Sequence, residues 1–319
     1  MISLLATAIA SSTPLIFAVL GETLSERAGI INLSAEGTIL LAAMTGFSAA
    51  KHSGSVLLGF VAAAGIGALI ALVVAVASIT LKQSQVAIGF VLALLCADLS
   101  SFLGTPIVRV PGPTVPSFRL PILQHIPIVG ELLFRSDGLV YSSFLLIAFM
   151  WVFIYRTGAG LTLRAIGEQP AAAFARGIDV VKLRYIYTLA GGSLMGIAGA
   201  AYSLDFRAGW SHRHTAGYGW IALAIAIFGG WNPLRAALGV YLFGLLQALA
   251  NTMQGQLPGI PTQLFSVAPF VLMIGVLAVT ASDWLERLFM PLPPEARRKV
   301  LEFLKVRAPA GLGKVFEQG

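Results

Sequence analysis

The chain is short of charge. Asp, Glu, Lys and Arg make up 11% of its 319 residues, where an ordinary soluble domain carries about 25%. That scarcity excludes a chain whose surface is mostly solvated. Cysteine is scarcer still. The single Cys96 has no partner for an intramolecular disulfide and supports no Cys-based metal site; within its apolar run it reads as a small buried hydrophobe. The motifs of common enzymes are missing: there is no G-x-S-x-G, no H-E-x-x-H, no carboxylate pair at a plausible site spacing and no G-x-x-x-x-G-K-[ST]. No metal or cofactor is therefore expected in this chain, and ATP-driven work would need an ATPase on another chain. Basic residues are absent before Arg27, so the first apolar run is expected to be a retained span and not a cleaved signal peptide.

What is present is apolar. Hydrophobic residues are 57% of the sequence and mean hydropathy is +0.85. The stretches 1–21, 37–50, 53–81, 83–97, 138–155, 185–204 and 236–282 contain no Lys, Arg, Asp or Glu. A membrane span needs about 20 mostly apolar residues, so the fold class is all-α, a polytopic transmembrane helical bundle. Spans are expected near 3–20, 30–50, 55–79, 85–104, 138–156, 185–204, 217–230, 236–252 and 264–282, about nine with eight to ten allowed. The 217–230 run is short, and 21–37 reads as a broken or re-entrant element. Residues 1–282 form the transmembrane domain, and 283–319 form a cytoplasmic tail. In that tail, 295–307 has the pattern of a basic amphipathic helix lying on the inner leaflet. Two stripes of small residues, Gly59, Ala63, Gly67, Ala71 and Gly192, Gly196, Ala200, recur every four positions, a spacing that lets helix backbones approach closely in a bilayer.

The net charge of +7 reports orientation and contact with anionic lipid, not nucleic acid. If the polar loop 157–184 and the tail are cytoplasmic, Arg27, Lys82, Arg156, Arg164, Arg176, Lys182, Arg184 and Arg235 face inward with the basic residues of the tail. Lys51, Arg109, Arg119, Arg135, Arg207 and Arg213 then face outward. The long external connection 105–137 carries Pro106, Pro111, Gly112, Pro113, Pro116, Pro121 and Pro127 and cannot form a long helix.

Two polar passages stand out. In 156–184, Gln169-Pro170 starts a short helix, because proline at the first helical position lacks only an N–H that has no partner there. Gly177 ends it, because glycine accepts the left-handed conformation that closes many helices. In 20–46, Asn32 and Glu36 lie within apolar surroundings, where ionisable groups face protein or a cavity. Glu36 either lines a pathway or is a structural carboxylate bonded to a loop or helix end. Asp98 either lines a pathway or caps an interface. Asp205 and Arg207 are expected to pair with each other. Gln247 and Asn251, four residues apart on one helix face, bond a polar solute or a neighbouring helix. His212 and His214 are too few ligands for a metal site.

The blocks ETLSERAGIINLSAEG (22–37), LTLRAIGEQPAAAFARGIDVVKLRY (161–185) and GWIALAIAIFGGWNPLRAALGVYLFG (219–244) resemble, in order, the permease subunits of ABC importers for nucleosides and simple sugars. The resemblance implies a multi-pass protein of the bacterial inner membrane. Its implied partners are a second related permease, a cytoplasmic ABC ATPase that binds the ATP, and an extracytoplasmic substrate-binding protein. It assigns ATPase contact to Arg164, Ala165, Gly167, Glu168, Ala172, Ala173 and Gly177, and leaves open whether Asn32 and Glu36 touch solute. The wording of 22–37 is nearer the nucleoside branch, with pentoses or hexoses as the alternative. An ion-coupled secondary transporter, with Glu36 and Asp98 as its ionisable groups, would have no need of the 161–185 block.

Overall fold

The computed structural model describes residues 2–116, 137–256 and 308–316, with isolated positions at 261, 264, 267, 271, 274, 275 and 293. Apart from those positions, the expected span 264–282 and the expected amphipathic helix 295–307 lie outside the described residues, as does 117–136 of the external connection.

Among the described residues every regular element is helical. They are α1 (Ile2–Arg27), α2 (Ala35–Ser53), α3 (Val56–Ala75), α4 (Gln85–Gly104), α5 (Gly138–Arg156), α6 (Gly158–Glu168), α7 (Pro170–Ala175), α8 (Val180–Ala201), α9 (Tyr218–Phe228) and α10 (Pro233–Gln256). Single π-helical turns extend α3 over Val76–Thr80 and α8 over Tyr202–Phe206. Among the described residues, five helical stretches are long and apolar enough to cross a membrane: Leu4–Arg27, Val56–Thr80, Gln85–Ile107, Gly138–Arg156 and Pro233–Gln254. Helices α2 and α8, of 19 and 22 residues, fall on two further expected spans.

Local chemistry sets the helix starts. Ser55, Ser84, Asp137, Thr157 and Asp179 each accept a backbone N–H from the first turn of α3, α4, α5, α6 and α8. These bonds satisfy donors that a helix N-terminus otherwise leaves bare.

The bundle is built around α8, which packs on α1, α2 and α3. Its contact with α3 joins the two small-residue stripes. A Cβ on Gly67 would strike the Gly192 carbonyl and the Gly196 backbone, and one on Gly196 would strike the Ala63 carbonyl. Backbones this close gain dispersion contact along their length without needing an apolar driving force, which a bilayer does not supply. Helix α1 packs on α5, α9 and α10. On the outside, α4 exposes Leu94, Leu95 and Phe102, and α5 exposes Leu145 and Phe149, as suits helices that meet lipid.

Candidate functional site: a mid-bundle polar break and an exposed coupling element

Two regions collect the polar side chains, one inside the bundle and one at its end. The inner region begins where α1 stops. Residues 28–34 have no helix, and α2 restarts beside the body of α4: a Cβ on Gly37 would strike Ala93. Ala93 is the ninth residue of α4, about 12 Å along it at 1.5 Å per residue, so α2 begins well inside the bundle. Helix α9 also begins there. Its 11 residues reach only about 16 Å, half of a bilayer core of about 30 Å.

Glu36 joins the two starts. Its Oε1 accepts the Gly217 N–H at 2.7 Å and its Oε2 accepts the Gly219 N–H at 2.9 Å. The α9 N-terminus, the positive end of its dipole, is thus capped by a carboxylate. Gly217 permits the bond through its φ of +93°, and Gly219 because its missing side chain leaves room for the Glu36 backbone. Of the two roles open to Glu36, the geometry is that of the structural carboxylate on a helix end. Asn32 is buried one step earlier. Its Oδ1 accepts the Ser34 N–H at 3.2 Å and the Ser34 hydroxyl, and its Nδ2 lies 3.5 Å from the Met195 sulfur. These bonds turn the non-helical chain into α2.

The loop entering α9 gathers other expected site residues. Asp98 accepts from Arg213 at 2.8 Å, both side chains being largely exposed, so Asp98 ties α4 to this loop. Gln247 lies against the Tyr218 hydroxyl, while Asn251 on the same helix is exposed. Three of the five residues considered for a pathway, Glu36, Asp98 and Gln247, therefore meet the segment 213–219. Asn32 and Asn251 do not. Arg207 donates to the Tyr202 hydroxyl at 3.3 Å and not to Asp205, the partner expected for it. Tyr202 packs edge-on to Tyr218, with ring centroids 4.7 Å apart, and lies 5.1 Å from the His214 ring. His214 is half enclosed here, and burial pushes its imidazole down to about 4, with Arg207 adding to the effect.

The second region is the α6–α7 end of the bundle. Gln169 precedes α7 and Pro170 opens it, as the sequence predicts. At its close the Gly177 N–H bonds the Phe174 carbonyl at 2.8 Å and the Ile178 N–H bonds the Ala173 carbonyl at 3.2 Å, with Gly177 at φ +81°. This is the double-bonded left-handed helix end that glycine favours. Ala173 is buried, whereas Ala171, Ala172, Ala175, Arg176 and Gly177 are exposed. Arg164 stacks over the Tyr155 ring, 5.4 Å from its centroid, and Ala165 packs on the buried core. Gly167 is buried so tightly that a Cβ would strike the Arg27 carbonyl. Only part of the set Arg164, Ala165, Gly167, Glu168, Ala172, Ala173 and Gly177 thus faces outward: Glu168, Ala172 and Gly177. The others anchor the element.

Arg27 is the anchor point. Its Nε donates to the Trp231 carbonyl at 3.0 Å, and its Nη2 to the Tyr155 hydroxyl at 3.2 Å and the Gly230 carbonyl at 3.3 Å. The neighbouring Glu26 accepts from the Trp231 indole N–H. Trp231 takes φ +53° in the tight turn before Pro233. The convergence of Glu26 and Arg27 upon this turn was not visible in the sequence; only the clustering of charge at the end of an apolar run hinted at it. Glu22, one turn earlier, is fully buried, with the Asn32 backbone beside its carboxylate. The described residues hold no group of three or more His, Cys, Asp or Glu placed to bind a metal.

Residues 4–277 match the family model described as branched-chain amino acid transport system / permease component. A Haloferax volcanii protein named "Putative glucose ABC transporter permease protein TsgC13" is 41% identical over 250 residues, covering 77% of this chain and 76% of its own. The nucleoside ABC transporter permease protein NupC of Lactococcus lactis is 36% identical over 282 residues, covering 84% and 89%. The guanosine ABC transporter permease protein NupQ of Bacillus subtilis is 31% identical over 280 residues, covering 82% and 87%. No solved structure matches the chain. With its membrane-length helices and a family match along most of its length, the chain belongs to the branched-chain amino acid transport system / permease component family, as a multi-pass transport subunit of the inner membrane.

Proposed function

We propose that this chain is the membrane-spanning subunit of an ATP-driven importer that carries nucleosides inward, powered by a separate ATPase that grips α7 on the cytoplasmic side. The observation that carries the reading is the form of α7. It is a six-residue helix closed by a proline start and a glycine end, it exposes Ala171, Ala172 and Ala175 together with Phe174, and its base is fixed to α1 and α5. A short rigid body of that kind passes a rigid-body push from one chain to another without bending. Binding and hydrolysis of ATP belong to the partner, since this chain carries no phosphate-binding motif. A second related permease would cover part of the outer apolar helices, and a substrate-binding protein would deliver solute from outside.

Nucleosides are favoured because one of the three relatives above is named for nucleosides and another for guanosine, itself a nucleoside. A simple-sugar reading is supported by the 41% identity to the glucose-named relative. One experiment tests both. The chain is reconstituted in proteoliposomes with its ATPase, second permease and binding protein, ATP being supplied on the α7 side, and uptake of labelled guanosine and glucose is compared. ATP-dependent guanosine uptake, lowered at least about tenfold by Ala172→Trp with membrane insertion unchanged, is the expected result. Uptake that proceeds without ATP would overturn the mechanism, and ATP-driven uptake of glucose alone would move the substrate to the second reading.

A further inference from the structure

The segment 308–316 is far in sequence from α6 and α7, yet it is hydrogen-bonded to the end of α6 and packs on α7. The Gly311 N–H donates to the Gly167 carbonyl at 2.8 Å, and the Ala310 N–H to Glu168 Oε2 at 3.1 Å. The Gly313 N–H donates to the Gly29 carbonyl at 3.1 Å, just past the end of α1. Arg184, only 2% exposed in the first turns of α8, donates through Nη1 to the Lys314 carbonyl at 3.2 Å. Phe316 sets its ring edge-on to Phe174 of α7, with centroids 5.8 Å apart. Two turns, Leu312 to Pro309 and Lys314 to Gly311, fold the segment on itself, and Pro309 and Gly311 are buried.

These contacts join three elements at one place: the end of α1, the α6–α7 corner and the start of α8. They also complete a weak one. A six-residue helix is below the length at which helices hold their own shape in water, and apart from its ends α7 buries only Ala173. Gly311 has no side chain where one would crowd the Gly167 carbonyl, 2.7 Å from its Cβ position, and Pro170 Cδ, 3.2 Å away.

We infer that 309–316 is a positioning strap that ties the α7 corner to the transmembrane helices, so that force on α7 reaches α1 and α8. Its residues act through α7 and need not touch the ATPase. The inference rests on the proposed coupling role of α7. It predicts that loss of the strap separates ATP hydrolysis from transport.

The test uses the full reconstituted complex. Three variants are compared with the parent chain: a stop replacing Ala308, Gly311→Val and Phe316→Ala, with Phe316→Tyr as the conservative control. Membrane abundance, co-purification of the ATPase, ATP hydrolysis and solute moved per ATP are measured for each. The expected result is near-normal abundance, co-purification and hydrolysis, at least a tenfold fall in solute per ATP for the three variants, and near-normal coupling for Phe316→Tyr. If the truncated chain is lost from the membrane, the two point variants decide. Unchanged solute per ATP in them would overturn the strap, and so would loss of the ATPase, because the segment would then be a docking element. Failure of the coupling reading itself shows separately, as a parent chain that binds no ATPase or transports without ATP.

Discussion

Glu36 spends its carboxylate on two backbone N–H groups, and this decides what its replacement does. Glu36→Gln keeps one carbonyl acceptor and loses the charge, so one α9 N–H loses its partner in a partly buried site. A buried donor stranded in this way costs about 1–3 kcal/mol. Glu36→Gln is therefore expected to lower the unfolding temperature in detergent and reduce uptake together, and Glu36→Ala to do so more strongly. Reduced uptake with unchanged thermal stability would instead mark Glu36 as a solute contact. The sequence showed that this carboxylate was unusual, because charge is rare in apolar surroundings. It could not show the partner, since Gly217 and Gly219 lie 181 and 183 positions away and carry no side chain to advertise the bond.

At the scale of elements, helix ends were legible where one residue type determines them. Gln169, Pro170 and Gly177 frame α7 because proline and glycine act on their own backbone, needing no distant neighbour. The stripes on α3 and α8 were legible as a spacing, and the structure supplies the pairing: each stripe is the other's partner. A direct comparison follows within one helix. Gly67→Leu would drive a side chain into the backbone of α8, whereas Gly65 has nothing within 4 Å of its Cβ position. Overpacking of a tight contact costs about 1–3 kcal/mol or more. Gly67→Leu is expected to reduce the folded protein recovered from membranes severalfold, and Gly65→Leu to leave it unchanged, as measured by fluorescence-detected size exclusion. What stayed hidden was the docking of 308–316. Its main bonds are between backbone atoms, and glycines of a polar tail carry no pattern that points to a corner about 140 residues upstream.

At the scale of the whole molecule, Arg27, Arg156, Arg164 and Arg184 lie around α6 and α7, the end the sequence assigns to the cytoplasm. Orientation can be measured with little background, because Cys96 is the only cysteine and is 4% exposed. A cysteine placed at Ser53 is expected to react with a membrane-impermeant maleimide on intact cells. One placed at Arg176 is expected to react only after the membrane is permeabilised. The reverse pattern would invert the assignment and place α7 on the wrong side for an ATPase.

The bond from Glu36 to the start of α9 also limits how the permease can move. Parting α9 from α2 would leave a carboxylate and two N–H groups without their partners, at about 1–3 kcal/mol for each group that stays buried. The two helices are thus expected to travel as one rigid piece through a transport cycle. Bending is left to joints where the chain is neither helical nor bridged by such a bond, and the inward and outward shapes of the protein should differ there while the distance from Glu36 to Gly217 stays constant.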